Sequence, residues 1–411
     1  MVRALCADEA VTEVVCAPGN AGIADIAPVH EVDVADPQAV AALAEFLACD
    51  LVVIGPEVPL VHGAADAIRD RGIPCFGPSA RAARLEGSKA FAKEVMAQAG
   101  VPTADSKTCA TLEEVAAALE RFGTPYVVKD DGLAAGKGVL VTAEQAAALD
   151  HAAGCLAKPG GRVVVEEYLA GPEVSLFGIS DGSVVRALAP AQDFKRLMDD
   201  DLGPNTGGMG AYSPLPWAPP SLAQEVERTV LQPMIDAMRQ RGTPFVGLLY
   251  AGLALTGSGV RVIEFNARFG DPETQVVLAR LRSGLGRLLH AAATGELAAF
   301  PELEWSAESA VTVVIAAPGY PQQPRTGEAI HGIDEAAATD GVTVLHAGTR
   351  IDASGQLVSA GGRVLSITAT GSTLAQARER AYQAVACIEL ADAQCRRDIA
   401  LVAATEASVT T

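Results

Sequence analysis

A multidomain protein of mixed α/β and α+β architecture is predicted by three features of the sequence. Its 411 residues exceed what one hydrophobic core usually serves, so more than one domain is expected. Between Val11 and Ser79 short apolar strands alternate with helical patterns, the rhythm of a parallel sheet. Beyond residue 306 several strands follow one another and are closed by a helix, the order of a small α+β unit. The expected domains are 1–80, 81–305 and 306–405.

Composition narrows the class. Hydrophobic residues make up 49% of the chain, with 40 Gly and 24 Pro, as in a globular protein rich in turns. No apolar run approaches the roughly 18 to 20 residues of a membrane span. The segment Met1 to Glu9 lacks the apolar core of a signal peptide, so a cytoplasmic location is expected. A net charge of −19 would repel a phosphate backbone, which argues against nucleic acid as a partner. The 8 cysteines lie far apart without a Cys-x-x-Cys pair and read as reduced, mostly buried side chains. The 6 histidines show no metal-ligand spacing.

Strands are expected at Glu13 to Ala17, Leu51 to Gly55 and Pro74 to Gly77, with helices at Gln38 to Ala48 and Leu60 to Asp70. Sheets of this kind bind ligands at the carboxyl ends of their strands, where Pro18-Gly19-Asn20-Ala21-Gly22 and Gly55-Pro56-Glu57 fall. Met1 to Ala7 reads as the tail of a helix, so this unit is expected to lack the first strand and Gly-rich turn of a doubly wound domain. Ser79 to Ala99 is helical in pattern, interrupted at Gly87-Ser88, where Ser88 suits the cap of a second helix and Lys89 opens it.

Pro125 to Val141 resembles a phosphate-binding loop with two differences. Three residues separate Gly132 from Gly136, and Gly138 follows Lys137 where Ser or Thr is required. An apolar strand follows, so the segment is expected to join two strands as a flap. Its glycines let backbone N–H groups approach phosphate oxygens, and Lys129 and Lys137 supply charge. Arg162 to Glu166 reads as a strand running into an acidic turn that carries Glu166, Glu167 and Glu173, suited to a nucleotide hinge. Ala189 to Tyr212 is long, charged and glycine-rich, and is expected to be a substrate-contacting lid.

Phe245 to Leu255 and Val260 to Asn266 form a predicted hairpin around Thr256-Gly257-Ser258-Gly259. Alternate strand residues share a face, so Glu264 and Asn266 project together and offer the hard oxygen donors that magnesium accepts beside phosphates. Arg268 follows, suited to neutralising a phosphoryl group in transfer. The first strand of this hairpin carries no carboxylate. A helix is expected over Thr274 to Thr294, then strands at Ala310 to Ala316, Val342 to Ala347 and Gly362 to Thr370, and a helix from Leu374 to Glu389.

In that order, lysine flap, acidic hinge and carboxylate-amide strand resemble the ATP-grasp superfamily. Within it the chain is similar to the phosphoribosylamine-glycine ligases through Leu85-Glu86-Gly87-Ser88-Lys89, Pro204 to Tyr212, Gly361-Gly362-Arg363-Val364, Arg396-Arg397-Asp398-Ile399 and above all Arg268-Phe269-Gly270-Asp271-Pro272-Glu273-Thr274-Gln275. The resemblance implies an ATP-grasp fold with residues 105–173 covering ATP, a Rossmann-like N-terminal domain lacking its first strand and a small β-rich C-terminal domain. It further implies ligation of glycine to 5-phosphoribosylamine at the expense of ATP, in purine biosynthesis, by a monomer that uses Mg2+ or Mn2+. Arg268 and Lys137 would be catalytic. ATP would meet Lys89, Lys129, Lys137, Glu166, Glu167 and Glu173, and the metal Glu264 and Asn266. The substrates would meet Gly19, Asn20, Glu57, Asp193, Lys195, Asp271 and Glu273. Alternative readings are another ATP-grasp carboxylate-amine ligase, or an ATP-binding protein without catalysis. The family has His where Phe194 stands and Ala where Asp130 stands, so the lid loses a polar group and the flap gains a negative charge.

Overall fold

The computed structural model describes residues 1–133 and 138–409, so the expected role of Lys137 falls outside the described residues. The N-terminal unit contains α1 (Val2–Cys6), α2 (Ala21–Ala24), α3 (Pro37–Phe46), β1 (Val52–Val53), α4 (Glu57–His62), α5 (Ala64–Arg69) and β2 (Cys75–Phe76). β1 and β2 pair in parallel, Val52 opposite Cys75 and Val53 opposite Phe76. The strand expected at Glu13 to Ala17 is reduced to one bridge between Cys16 and Val29. Pro18 and Pro28 flank that bridge and carry no amide N–H with which to extend a ladder. The single helix expected over residues 60–70 is two, because Gly63 takes φ 92 and closes α4.

α6 (Ala80–Gly87) and α7 (Lys89–Ala99) meet at Ser88, whose hydroxyl accepts from the Phe91 N–H at 3.1 Å. Next come β3 (Ser106–Cys109), α8 (Leu112–Phe122), β4 (Tyr126–Asp130), β5 (Val139–Thr142), α9 (Gln145–Leu156) and β6 (Val163–Glu166). The strands form an antiparallel sheet in the order β3-β6-β4-β5, so the flap does join two paired strands. Val128, Val163 and Val165 pack against α8 and α9. Lys129 and Glu166, one residue further along their strands, therefore emerge on the opposite face.

β7 (Glu173–Asp181), β8 (Val185–Ala187), β9 (Gln192–Asp193), β10 (Arg196–Met198), β11 (Leu202–Asn205) and β12 (Gly210–Ser213) precede a helical stretch, α10 (Leu222–Val226) and α11 (Gln232–Gln240), that the sequence reading did not include. β13 (Val246–Thr256) and β14 (Gly259–Asn266) make the expected hairpin and complete a sheet in the order β14-β13-β7-β8. The helix expected over 274–294 is divided into α12 (Glu273–Arg280) and α13 (Leu285–Thr294). Between them Leu281 is extended and bridges Trp305, and the Arg282 N–H donates to the Glu304 carbonyl at 2.9 Å.

β15 (Ser309–Ala316), α14 (Ile333–Ala337), β16 (Val342–His346), the hairpin β17 (Thr349–Ile351) and β18 (Leu357–Ser359), β19 (Arg363–Gly371), α15 (Leu374–Val385) and α16 (Leu401–Val409) finish the fold. Their main sheet runs β16-β19-β15-β12-β9, so two strands of the predicted lid belong to it. The lid is thus ordered. Its β10–β11 hairpin is held by Arg396, a guanidinium 1% exposed. Arg396 donates to Asp201 at 2.7 Å and to both oxygens of Asp398 at 2.8 and 2.6 Å, and lies 4.8 Å from the centre of the Phe194 ring. Phe194 is therefore a platform for this buried cation.

Only the guanidinium of this cluster is buried, since the Asp201 side chain is 71% exposed, so truncating it removes charge-assisted hydrogen bonds worth about 1.5 to 3 kcal/mol and leaves no buried charge unpaired. Arg396→Ala should accelerate native-state hydrogen exchange across Arg196 to Asn205 by more than tenfold, the factor of about 10 per 1.4 kcal/mol applied to that loss. Unchanged exchange there would show that other contacts hold the hairpin.

Candidate active site

The β3–β6–β4–β5 sheet turns its polar face toward β14. The Lys129 ammonium, 3% exposed, donates to the Ile263 carbonyl at 2.8 Å and lies 2.9 Å from Glu166 Oε2. Ile263 is available because the β13–β14 register slips: Gly252 faces Glu264 and Leu253 faces Val262, leaving Ile263 as the extra residue of a bulge. Glu166 is equally buried, and its Oε1 lies 3.2 Å from Lys93 Nζ. Lys93 was not singled out from the sequence, since a Lys one turn into an amphipathic helix reads as a surface charge.

Beyond the bulge, Glu264 and Asn266 stand on one face of β14, both partly exposed. Arg268 Nε lies 3.5 Å from Glu57 at the start of α4 and 3.5 Å from Glu86 in α6. Glu86 also accepts from the Ala267 N–H at 2.8 Å. Burial raises the Glu86 carboxyl above its ordinary range, and Glu57 and Glu264 push the same way against Arg268.

A second cluster surrounds Ser175 on β7. Its hydroxyl is 2.9 Å from Tyr250 Oη, 3.1 Å from Glu273 Oε1 and 3.3 Å from Asp193 Oδ1. One hydroxyl proton cannot serve both carboxylates, so the network favours an additional proton on one of them. Accordingly Glu273 is raised to about 7, first by burial and then by Asp193. Burial raises Asp193 too, with Lys195 opposing. Lys195 lies 3.8 Å from Asp193 and is ion-paired with Glu173. Gly270 permits this packing, because a Cβ there would come within 2.7 Å of Glu273 Oε2.

The predicted residues divide accordingly. Glu57, Arg268 and Glu264 form one cluster with Glu86, and Glu173, Asp193, Lys195 and Glu273 another with Ser175 and Tyr250. Glu86 was legible only as part of a motif, and Ser175 and Tyr250 only through tertiary contact. Lys89 Nζ reaches the Gly132 carbonyl at 3.5 Å, at the edge of the flap. Asp271 is held by Arg363, which donates to its carbonyl at 2.6 Å and to that of Gly207 at 2.7 Å.

Four of the singled-out residues have partners within the protein. Glu166 is enclosed between Lys93 and Lys129. Glu167 is tied to Arg261 at 2.8 Å and to the Asp105 N–H. Asn20 directs its amide nitrogen to the His346 and Ala347 carbonyls at 2.8 and 3.1 Å and caps α2, so it docks the N-terminal unit on the C-terminal one, while Gly19 at φ 76 lies against Val29. Asp130 adds no free charge: burial would raise it, but Lys158 and the Gly132 N–H outweigh burial and hold it low. Cavities of about 800 Å3 between α15 and α16 and about 410 Å3 beside Lys93 are not lined by Arg268 or Glu273.

Two antiparallel sheets that face each other, one with a lysine-bearing hairpin and one with a carboxylate-amide strand, define the ATP-grasp class. A crystal structure of phosphoribosylamine–glycine ligase from Thermotoga maritima matches at TM-score 0.83 and 31% identity, covering 97% of this chain and 96% of that one. The biotin carboxylase domain of a Hydrogenobacter thermophilus 2-oxoglutarate carboxylase, in complex with MgADP, shares the fold at TM-score 0.73 and 17% identity, covering 96% of this chain and 88% of that one. Family models for the N, ATP-grasp and C domains of phosphoribosylglycinamide synthetase match residues 1–86, 87–274 and 310–402. The phosphoribosylamine–glycine ligase of Streptomyces coelicolor is 64% identical over 406 residues, 98% of this chain and 96% of that protein. The chain belongs to the phosphoribosylglycinamide synthetase family, whose members are ATP-dependent ligases.

The raised Glu273 carboxyl has a consequence for stability. Between the ordinary Glu value near 4.3 and about 7 the native state binds a proton that the unfolded chain has released. The stabilisation is complete below that window and is lost as pH rises through it. Without nucleotide or metal, Tm should therefore fall from about pH 5 to about pH 7, and Glu273→Gln should flatten that fall. An identical slope in the variant would remove Glu273 as its source.

Proposed function

We propose that the chain joins glycine to 5-phosphoribosylamine, converting ATP to ADP and phosphate and forming glycinamide ribonucleotide for purine biosynthesis. The observation that carries this reading is the meeting of Lys129 with β14, which brings a buried cation beside the strand that bears Glu264 and Asn266. The naming of relatives as phosphoribosylamine–glycine ligases supports it. In this reading residues 1–80 and 306–405 flank an ATP-grasp unit, 81–305, whose segment 105–173 covers the nucleotide. The protein acts as a cytoplasmic monomer on small molecules, and its net charge of −19 agrees with the absence of a nucleic-acid partner.

The acid-rich half of the site fits a divalent cation. Glu264 and Asn266 offer hard oxygen donors, and the nearby Glu57 and Glu86 carboxylates add to the negative charge that such an ion would meet. Among the described residues no three His, Cys, Asp or Glu side chains form a protein-only metal site, so phosphate oxygens would complete the shell. When bound, magnesium would draw negative charge from the phosphate oxygens.

A carboxylate resists amines because its carbonyl is electron-rich and its leaving group poor. Glycine is therefore activated first: its carboxylate oxygen attacks the γ-phosphorus, ADP leaves, and a glycyl phosphate forms. The amine of phosphoribosylamine then attacks the carbonyl carbon, a proton leaves nitrogen, and inorganic phosphate departs. Lys129, Lys89 and Lys137 supply positive charge along the nucleotide. Arg268, held in place by Glu57 and Glu86, faces the transferred phosphoryl group and opposes its charge. Glu173, Asp193, Lys195, Asp271 and Glu273 orient the acyl donor and the amine. The ordered hairpin after β9 keeps water from the acyl phosphate, with Tyr320 accepting from the Gly207 N–H at 2.8 Å and Arg363 pinning the same turn.

Phosphate release by the purified chain should require glycine, phosphoribosylamine, ATP and magnesium together. Release that needs only one of the two acceptor substrates, or neither, contradicts the assignment. Glu264→Ala should abolish magnesium-dependent turnover with thermal unfolding retained, and undiminished turnover would remove the metal assignment.

A further inference from the structure

We propose that Lys93 is a positioning residue of the nucleotide site, which by engaging Glu166 keeps the charge of Lys129 available to a nucleotide phosphate. The inference rests on the proposed ATP site and adds a residue to it. Glu166 is the carboxylate at the centre: Lys129 lies 2.9 Å from Oε2 and Lys93 3.2 Å from Oε1. The ionised groups facing Lys93 are Glu166 on β6, Lys129 on β4 and Arg261 on β14, and Arg261 has its own partner in Glu167 at 2.8 Å. Two ammonium groups thus share one carboxylate, and the buried cluster carries a surplus positive charge. Buried charge without a counterion is costly, so such a surplus is maintained where an anion is to be bound.

The other contacts of Lys93 make the arrangement rigid. Nζ donates to Thr103 Oγ1 and to the Ala104 carbonyl, both at 2.9 Å. Thr103 Oγ1 donates in turn to the Val262 carbonyl at 2.6 Å, two residues before Glu264. One ammonium therefore joins α7, the segment leading into β3, the Lys129 sheet and the metal strand. Glu166 Oε1 is buried and, despite its closeness to Lys93, makes no well-directed hydrogen bond, so the attraction there is one of charge. Were Lys93 neutral, Glu166 and Lys129 would form a balanced pair, and the field that attracts phosphate would weaken. Burial, followed by Lys129 and Arg261 against the pull of Glu166, lowers the Lys93 ammonium to about 8, which brings that loss within experimental reach.

The test is calorimetric titration of the full chain with ATP and magnesium, using wild type, Lys93→Met, Lys93→Arg and Lys129→Met. Lys93→Met should bind roughly tenfold more weakly or worse, with KM for ATP rising by more than kcat falls, and Lys93→Arg should recover most of the affinity. Wild-type affinity should decline as pH rises through about 8, and Lys93→Met should lack that decline. Binding by Lys93→Met as tight as wild type, alongside weakened Lys129→Met, overturns the proposal. If Lys93→Met does not fold, the wild-type pH series and Lys93→Arg decide instead: pH-independent wild-type affinity overturns the proposal, and a decline shifted upward by arginine supports it. A wild-type chain that binds no ATP defeats the proposed function itself, and this inference with it.

Discussion

A lysine ammonium in a protein interior must be met by a carbonyl or a carboxylate, and the site depends on how Lys129 meets that requirement. It reaches the Ile263 carbonyl on one side and Glu166 on the other. The first contact spans two sheets that share no strand, and together with the Glu167–Arg261 pair and the Thr103–Val262 hydrogen bond it sets the spacing between the flap and β14. The bulge at Ile263 makes it possible, because a fully paired ladder residue has less freedom to turn its carbonyl. A local irregularity of β14 is thereby linked to the placement of Glu264 and Asn266 beyond it.

Charge is segregated along the cleft. The end near β4 and β6 carries two lysines on one carboxylate. The end near β9, α12 and the residues after β14 gathers Glu57, Glu86, Glu173, Glu264, Asp193 and Glu273 around Arg268 and Lys195. The first end complements an anion and the second a cation. The C-terminal unit contributes indirectly. Arg363, Tyr320 and Arg396 grip the hairpin that covers the acidic end, and β9 and β12 extend the C-terminal sheet beneath it.

Much of this was legible from local patterns. Lys129 was legible as a charge at the end of an apolar strand leading into the flap, and the hairpin of β13 and β14 followed from Thr256 to Gly259. Legibility failed where a side chain's partner is distant in sequence. Ser175 meets Glu273, Asn20 meets the carbonyls at 346 and 347, and Phe194 supports Arg396. Nothing in the spacing around any of these residues encodes its partner. Residues 189–212 illustrate the same limit, since their charges and glycines suggested a substrate-contacting lid but not the contacts with Tyr320, Arg363 and Arg396 that hold it.

The sequence by itself determined the class of chemistry, because strand periodicity and the Arg268 to Gln275 motif place the same few functional groups together in any fold that keeps them. It also determined local stops: Ser88 capping α7 and Gly100 ending the helix before β3. Only the tertiary structure decided which of the charged residues face ligand and which neutralise one another. Ionisation and orientation depend on burial and on charges within a few ångströms, and those distances arise when separate sheets close on each other. Glu166 is the clearest instance: an acidic residue in a predicted hinge by sequence, and by structure the shared counterion of Lys93 and Lys129.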